Sequence, residues 1–455
     1  MPRSARWCRD RRRRRSGAIS TRKSANGASW PNRWHRPPND KGETMTRTLL
    51  KHATLIDCVE PVAQRDKAVL LEDGMIREIF HTGDPASVGD CEVVDLQGAF
   101  LMPGLWDVHI HPDYFPTLMD MPLPDQVTLF GHKLQQGLLE SGIVGFRSAG
   151  AHSFMDVAWK RAFDSGQHLG PRVFAAGHFL TTTGGHFLTS GHALECDGPY
   201  GFVKAIREQI KHGVDHIKLN LSGGILGPAW DLHRHSFLLD DEIRAAFDIC
   251  KLREFKVMAH ATNPAAVKAA VRLGAHSIEH GYIMDDECIE ALVEHGTWYV
   301  PTLAISHLTP GQATNIFERR WSSERNLAHA LCCRAEAAVE QHTEGFRKAL
   351  RAGVRMALGS DIRPLKDAAL LELGLWVRDG ATPWQAIRAA TAHGAAVCGV
   401  GDRLGTIETG KIADLIVVGG NPLEDVNNVR QLQLVFKDGR IVSDKRGRAQ
   451  PSQQG

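Results

Sequence analysis

Eight short apolar runs punctuate the middle of the chain: LMPGLWDVHIHP (101–112), GIVGFRSAG (142–150), RVFAAGHFL (172–180), HIKLNL (216–221), KVMAHA (256–261), HSIEHG (276–281), WYVPTL (298–303) and VRMALGSD (354–361). Nearly all are separated by stretches such as FVKAIREQIKHG, LDDEIRAAFDICKLR and PAAVKAAVRLG. Apolar residues recur there every three or four positions, the spacing of an amphipathic helix. Strands alternating with helices eight times predict a closed parallel (β/α)8 barrel over 104–402. The flanks read differently. TLLKHATLID, KAVLLEDG and MIREIF on one side, and GTIETGKIADLIVVGG and LQLVFKDGRIVSD on the other, are short strand patterns with turn signals between them. They predict one small β-sandwich built from both chain ends, 45–103 and 403–446, joined to the barrel by the helical PWQAIRAATAHGAAVCGV.

The ends of the barrel runs carry the candidate chemistry. His109 and His111 occupy alternate positions, so on a strand they share one face about 7 Å apart and can grip one metal ion. Alone, such a pair also fits two polar residues at a strand end. In a barrel, however, the working residues come from the C-terminal ends of several strands, and Lys218, His260, His280 and Asp361 sit at or near those ends too. Four imidazoles and a carboxylate suit zinc, or manganese, cobalt or iron, with a position left for water. Lys218 has two readings. It is either buried by pairing with Asp361 or another acid, or carbamylated by carbon dioxide into a carboxylate able to bridge two ions.

The motifs PGLWDVHIHP (103–112), TTGGH (182–186), HIKLNLSGG (216–224), MAHA (258–261), SIEHG (277–281) and GSD (359–361), in this order, resemble the amidohydrolase superfamily. Within it the chain is most similar to the branch of imidazolonepropionase-like enzymes and prolidase-like (Xaa-Pro, Xaa-Arg) dipeptidases with a carbamylated lysine. The resemblance spans roughly 53–445 and implies that His109, His111 and Asp361 hold one ion, His260 and His280 the other, and modified Lys218 bridges them. One departure stands out: the branch often carries Arg-Asp-Ala-Gly after the second strand, where this chain has Arg147, Ser148, Ala149 and Gly150. The missing acid puts the usual contacts behind the ligands in doubt.

Such a site implies a hydrolase of carbon–nitrogen bonds. Coordination lowers the pKa of water to about 7, and the hydroxide attacks a carbonyl whose oxygen one ion polarises. Asp361 then serves as general base and acid. For substrate contacts, the resemblance points His186 at the ligand, and the Gly- and His-rich segment 222–237 lies over the mouth of the fourth strand. His235 stands where the dipeptidase relatives often have a substrate-contacting tyrosine; it, His233 and Arg363 are further candidates, and Trp230 is either pocket wall or packing. His178, His192 and His216 are read as packed residues, and Cys332-Cys333 as one core and one surface position on a helix.

Charge is divided unevenly. The first 44 residues hold 13 Lys or Arg against 3 acids, leaving 41 and 49 in 45–455, so a net +2 hides a basic tail on an acidic body. With no apolar segment after Arg11 to Arg15, a standard secretory signal is excluded. The tail is expected to be a non-native extension ahead of Met45 or disordered, as are 447–455 at the other end. No run is long enough to cross a membrane, and nine cysteines without C-x-x-C spacing fit reduced thiols in the cytoplasm. The leading expectation is a homo-oligomeric, binuclear metal hydrolase acting on a small carboxylate-bearing amide, such as a dipeptide or N-acyl amino acid. A neutral amide, carbamate, urea or cyclic amide is the alternative substrate. A nucleic-acid binder acting through the tail is a remote third reading, set aside because the ligand set has no structural need to exist.

Overall fold

The computed structural model describes residues 46–84, 88–112, 121–186 and 193–447. The expectations for 1–44, for His192 and for nearly all of 447–455 lie outside them.

The chain opens with β1 (Arg47–Leu55), β2 (Gln64–Glu72), β3 (Met75–His81), β4 (Glu92–Asp95) and β5 (Phe100–Pro103). It then enters the barrel with β6 (Leu105–Ile110), β7 (Ile143–Ser148), β8 (Arg172–Phe174), β9 (Phe179–Thr181), β10 (Ala193–Glu195), β11 (His216–Asn220), β12 (Lys256–Ala261), β13 (Ser277–His280) and β14 (Trp298–Val300). Finally β15 (Leu415–Val418), β16 (Leu432–Lys437) and β17 (Arg440–Asp444) return to the first sheet. Hydrogen bonding joins the end strands in the order β17-β16-β15-β5-β1-β2-β3, with β4 beside β1. The sandwich is thus one continuous sheet wrapped around its own core, where Leu50, Val69 and Leu101 meet Leu415, Leu434 and Phe436.

Parallel pairing runs β6-β7-β8 and β9-β11-β12-β13-β14, with β10 on the outer edge of β9. The (β/α)8 barrel departs from the sequence reading in three places. Its third strand is split into β8 and β9, because at 175–178 side chains replace the ladder: Asp215 accepts from the Ala175 amide at 2.8 Å, and Asp156 from the Ala176 and Gly177 amides at 2.9 and 3.0 Å. The seventh ends at Val300 rather than running on to Leu303. The eighth, 354–361, is not a regular strand. It bridges β14 at Tyr299–Met356 and returns to β6 through Val108 N–H to Leu358 O at 2.9 Å and Asp361 N–H to His109 O at 2.7 Å. The buried Asp107 carboxylate takes the Ser360 hydroxyl at 2.6 Å and shares the Ser360 amide, at 3.1 Å, with the His109 carbonyl at 3.2 Å. Gly359 is required at this closure, since a Cβ there would stand 2.6 Å from that of His109.

Amphipathic helices fill the crossovers. PAAVKAAVRLG forms one over Pro264–Leu273, started by the Asn263 side chain accepting from Ala266 N–H at 3.0 Å and by proline in its first turn. Barrel and sheet are tied by a buried charge cluster. Arg172 of β8 forks onto Asp414, just before β15, at 2.7 and 3.1 Å, and Lys437 reaches the same carboxylate at 3.0 Å. Removing one member leaves buried charges uncompensated, so Asp414→Ala is expected to cost about 3–5 kcal/mol. Urea denaturation checks this; an unchanged midpoint would show that the cluster is not what joins the two parts.

Candidate active site

Parallel register brings the ends of the barrel strands to one level. Asn220 of β11 pairs with His260 of β12, and Ala261 with His280 of β13. His109 lies in β6 and His111 one residue past its end, while Asp361 closes the eighth segment. Asp361 Oδ1 stands 3.6 Å from Nε2 of both His109 and His111, and its Oδ2 4.0 Å from His280 Nδ1. Among the described residues, His109, His111 and Asp361 form the one cluster whose donor atoms all fall within 4.8 Å of each other. The His280 ring is 4.7 Å from that of His109 and 4.4 Å from that of His260. All six residues singled out in the sequence therefore converge, with Lys218 Nζ 3.5 Å from His109 Nε2.

Each of the four histidines gives one ring N–H to a group that can only accept there. His109 Nδ1 meets Glu279 at 2.6 Å, His111 Nδ1 the Gly150 carbonyl at 3.1 Å, and His260 Nε2 the Gly223 carbonyl at 3.0 Å. His280 Nδ1 meets Thr302 Oγ1 at 2.7 Å, and that hydroxyl spends its own proton on the Pro301 carbonyl. These bonds fix the tautomers and leave the other nitrogen of each ring an unprotonated donor able to ligate. Burial, reinforced by Lys218, holds His109, His260 and His280 well below the ordinary imidazole range, so the rings are neutral, the form that ligates. Burial also pushes the Asp361 carboxyl up to about 6 and the Lys218 ammonium down to about 8. Backbone conformations uncommon outside glycine accompany this, with φ of 70° at His280 and 56° at Asp361.

Glu279 was not anticipated. Fully buried, it accepts from Arg147 Nη2 at 2.9 Å and from Ser277 Oγ while holding His109. Its place inside SIEHG was visible, but strict alternation turns residues 279 and 280 to opposite faces; the positive φ of His280 brings both to the site. Ser148, in place of the expected acid, accepts from Gly150 N–H at 3.2 Å and so braces the carbonyl that holds His111.

Above these groups opens a pocket of about 520 Å³, counted out to its mouth. Phe179, Ile225, Leu226, Tyr282 and Ile305 make its apolar wall, and His186, Asn220 and Arg363 its further polar lining. His186 and Arg363 thus lie where substrate contact was expected. His235 does not: it is exposed and outside the lining, because its carbonyl accepts from Gly223 N–H at 2.9 Å and Ser222 bridges Ser236, pairing that turns the side chain outward. Trp230 is likewise exposed, and His233 packs edge-on to Tyr282. His216 is buried on the Ser148 carbonyl at 2.9 Å, His178 packs against Phe154, and Cys332 and Cys333 are half-buried and exposed. Asn220 was also missed; its buried Oδ1 has no hydrogen-bond partner among the described residues.

A parallel barrel whose strand ends present such a cluster is the architecture of a metal-dependent hydrolase. The amidohydrolase family pattern matches residues 100–442, and the chain belongs to that family. It is 29% identical to ochratoxinase of Aspergillus niger over 379 residues, 75% of each chain. A solved Xaa-Pro dipeptidase with bound methionine is 28% identical at a TM-score of 0.75, covering 87% of this chain and 99% of that one. A prolidase complexed with N-methylphosphonate-L-proline is 28% identical at 0.76, covering 88% and 100%. The protein is a hydrolase of carbon–nitrogen bonds. Among the described residues no helix is long and apolar enough to cross a membrane.

Glu279→Gln should weaken metal retention about 10- to 100-fold, since the amide no longer holds His109 with a full charge. Metal content after titration with a competing chelator measures this, and wild-type retention would remove Glu279 from the account.

Proposed function

We propose that the protein is a binuclear amidohydrolase cleaving the amide bond of a small substrate that carries a carboxylate beside the scissile nitrogen, as in a dipeptide or N-acyl amino acid. The observation that carries this reading is the placement of Arg363 and an apolar wall in one pocket with the histidine–aspartate cluster. The guanidinium is a fixed cation able to take a carboxylate, and the wall suits an apolar side chain or acyl group. Relatives named as dipeptidase and prolidase support the same substrate class.

The donor chemistry fits two divalent ions, zinc foremost. His109, His111 and Asp361 would hold one, His260 and His280 the other, and carbamylated Lys218 would bridge them. Lys218 is 1% exposed, and no described acid lies within ion-pair distance of its Nζ, which supports the modified-lysine reading over the paired one. Burial lowers its pKa to about 8, which makes the neutral amine far more accessible than in a free lysine. That amine's lone pair forms an N–C bond to carbon dioxide and one N–H proton leaves, giving the bridging carboxylate. When bound, the ions lower the pKa of water and polarise the carbonyl. Asp361 takes the proton of the attacking water and delivers it to the leaving nitrogen, and Arg363 orients the substrate by its carboxylate.

Asp361→Asn should keep the fold while losing about 10²- to 10⁴-fold in kcat, because an amide cannot accept that proton; near-normal turnover rejects the role. Lys218→Ala should lose metal, with activity partly restored by added short carboxylic acids, and full activity without them excludes the bridge. The substrate class is tested by amine release from matched amides with and without a carboxylate beside the scissile nitrogen. Turnover confined to the carboxylates is expected. Equal turnover of the neutral partners would assign the pocket to a neutral amide, carbamate or urea.

A further inference from the structure

A further histidine of the pocket, His186, is held in the same manner as the four histidines above, here by a carboxylate from the loop over the fourth strand. Its Nδ1 lies 2.8 Å from Asp231 Oδ2, and its ring stacks on His260 at 4.2 Å and 26°. Asp231 is fully buried. Its other oxygen accepts from Gly224 N–H at 2.8 Å, and the loop wraps it so closely that a Cβ at Gly227 would stand 1.9 Å from Oδ2. The loop is itself pinned from outside. Arg334, on the long helix His329–Arg351, donates to the carbonyls of Gly227 at 2.7 Å, Pro228 at 3.1 Å and Gly224 at 3.4 Å, and to that of Asp231. One guanidinium spread over four carbonyls of a single loop immobilises the segment that carries the carboxylate.

We propose that Asp231 is a positioning residue for amide hydrolysis: it keeps the proton of His186 on Nδ1 and so presents Nε2 to the substrate at one fixed place in the pocket, with Arg334 holding the loop that makes this possible. The role rests on the hydrolytic reading of the pocket. A carboxylate can only accept, so Nδ1 must carry a proton. An asparagine at 231 retains one acceptor oxygen. If that oxygen stays with Gly224 N–H, its NH2 faces His186 and requires Nδ1 as acceptor, which moves the ring proton to Nε2 and reverses what the pocket presents.

The first arm of the test needs no turnover. Metal-loaded full-length protein labelled with 15N-histidine is examined by long-range 1H–15N correlation, the His186 signals being those missing from His186→Gln. A proton on Nδ1 in the wild type and on Nε2 in Asp231→Asn is expected. A wild-type proton on Nε2, or no change in the variant, overturns the proposal, and the wild-type measurement decides it even if the variant folds poorly. The second arm is a double-mutant cycle on an amide the wild type hydrolyses. Asp231→Asn and His186→Gln should each lower kcat about 10- to 100-fold with metal content unchanged, and the double variant should be no slower than His186→Gln alone. Multiplying losses, or loss of metal in step with activity, would make Asp231 merely structural. Should the wild type cleave none of the amides, the hydrolytic reading fails, while the tautomer result still stands for or against Asp231.

Discussion

The site depends on a rule of hydrogen bonding applied at every ring: a buried imidazole must give its N–H to something, and whichever nitrogen gives it leaves the other as the working atom. At the mouth of this barrel the partners are a carboxylate, two backbone carbonyls and a hydroxyl whose proton is already committed. None of them can return a proton to the ring at that position. Orientation and tautomer are therefore set by the folded protein before any ion arrives.

Placing that rule inside a barrel has electrostatic consequences. Glu279 can serve His109 only because Arg147 crosses the interior to meet it, donating also to the Val108 carbonyl at 2.7 Å and to Ser277 at 2.9 Å. A buried ion pair without such added hydrogen bonds fails to recover its desolvation cost. Arg147 thus supplies the charge that lets a carboxylate exist behind the ligands, and Ser148 next to it is free to brace the 148–150 turn instead. Arg172, on the adjoining strand, performs the comparable task at the other end of the barrel, where its fork to Asp414 seats the barrel on the sheet.

How much of this was legible follows from where backbone and side chains share the hydrogen bonds. Runs such as HIKLNL and KVMAHA, whose ladders are purely backbone, appear as strands with the expected ligands at their ends. RVFAAGHFL and VRMALGSD do not, because Asp156, Asp215 and Asp107 take over the ladder at those points, and hydropathy carries no sign of that substitution. Glu279 was hidden by a positive φ that breaks the two-residue alternation on which strand reasoning rests. His235, singled out by the resemblance, lies outside the pocket lining, and a loop has no period that could show it: the pairing of Gly223 with residue 235 decides which way its side chain points, and that pairing is tertiary.

Lys218 makes the functional argument sharper than the fold requires. A fully buried ammonium without a carboxylate in ion-pair range is among the costliest groups a core can hold, and burial accordingly drives it toward the neutral amine. Asp361, raised toward protonation by the same burial, faces three imidazoles rather than a permanent partner. Packing alone would favour apolar residues at both positions. These two groups, with the Asn220 oxygen that finds no partner among the described residues, leave a demand for charge and hydrogen bonds that those residues do not meet. A bound cation would meet the first part of that demand, and a polar substrate the second. The unfavourable energy of these buried groups would be recovered on such binding, which is the expected arrangement for a site kept for chemistry rather than for stability.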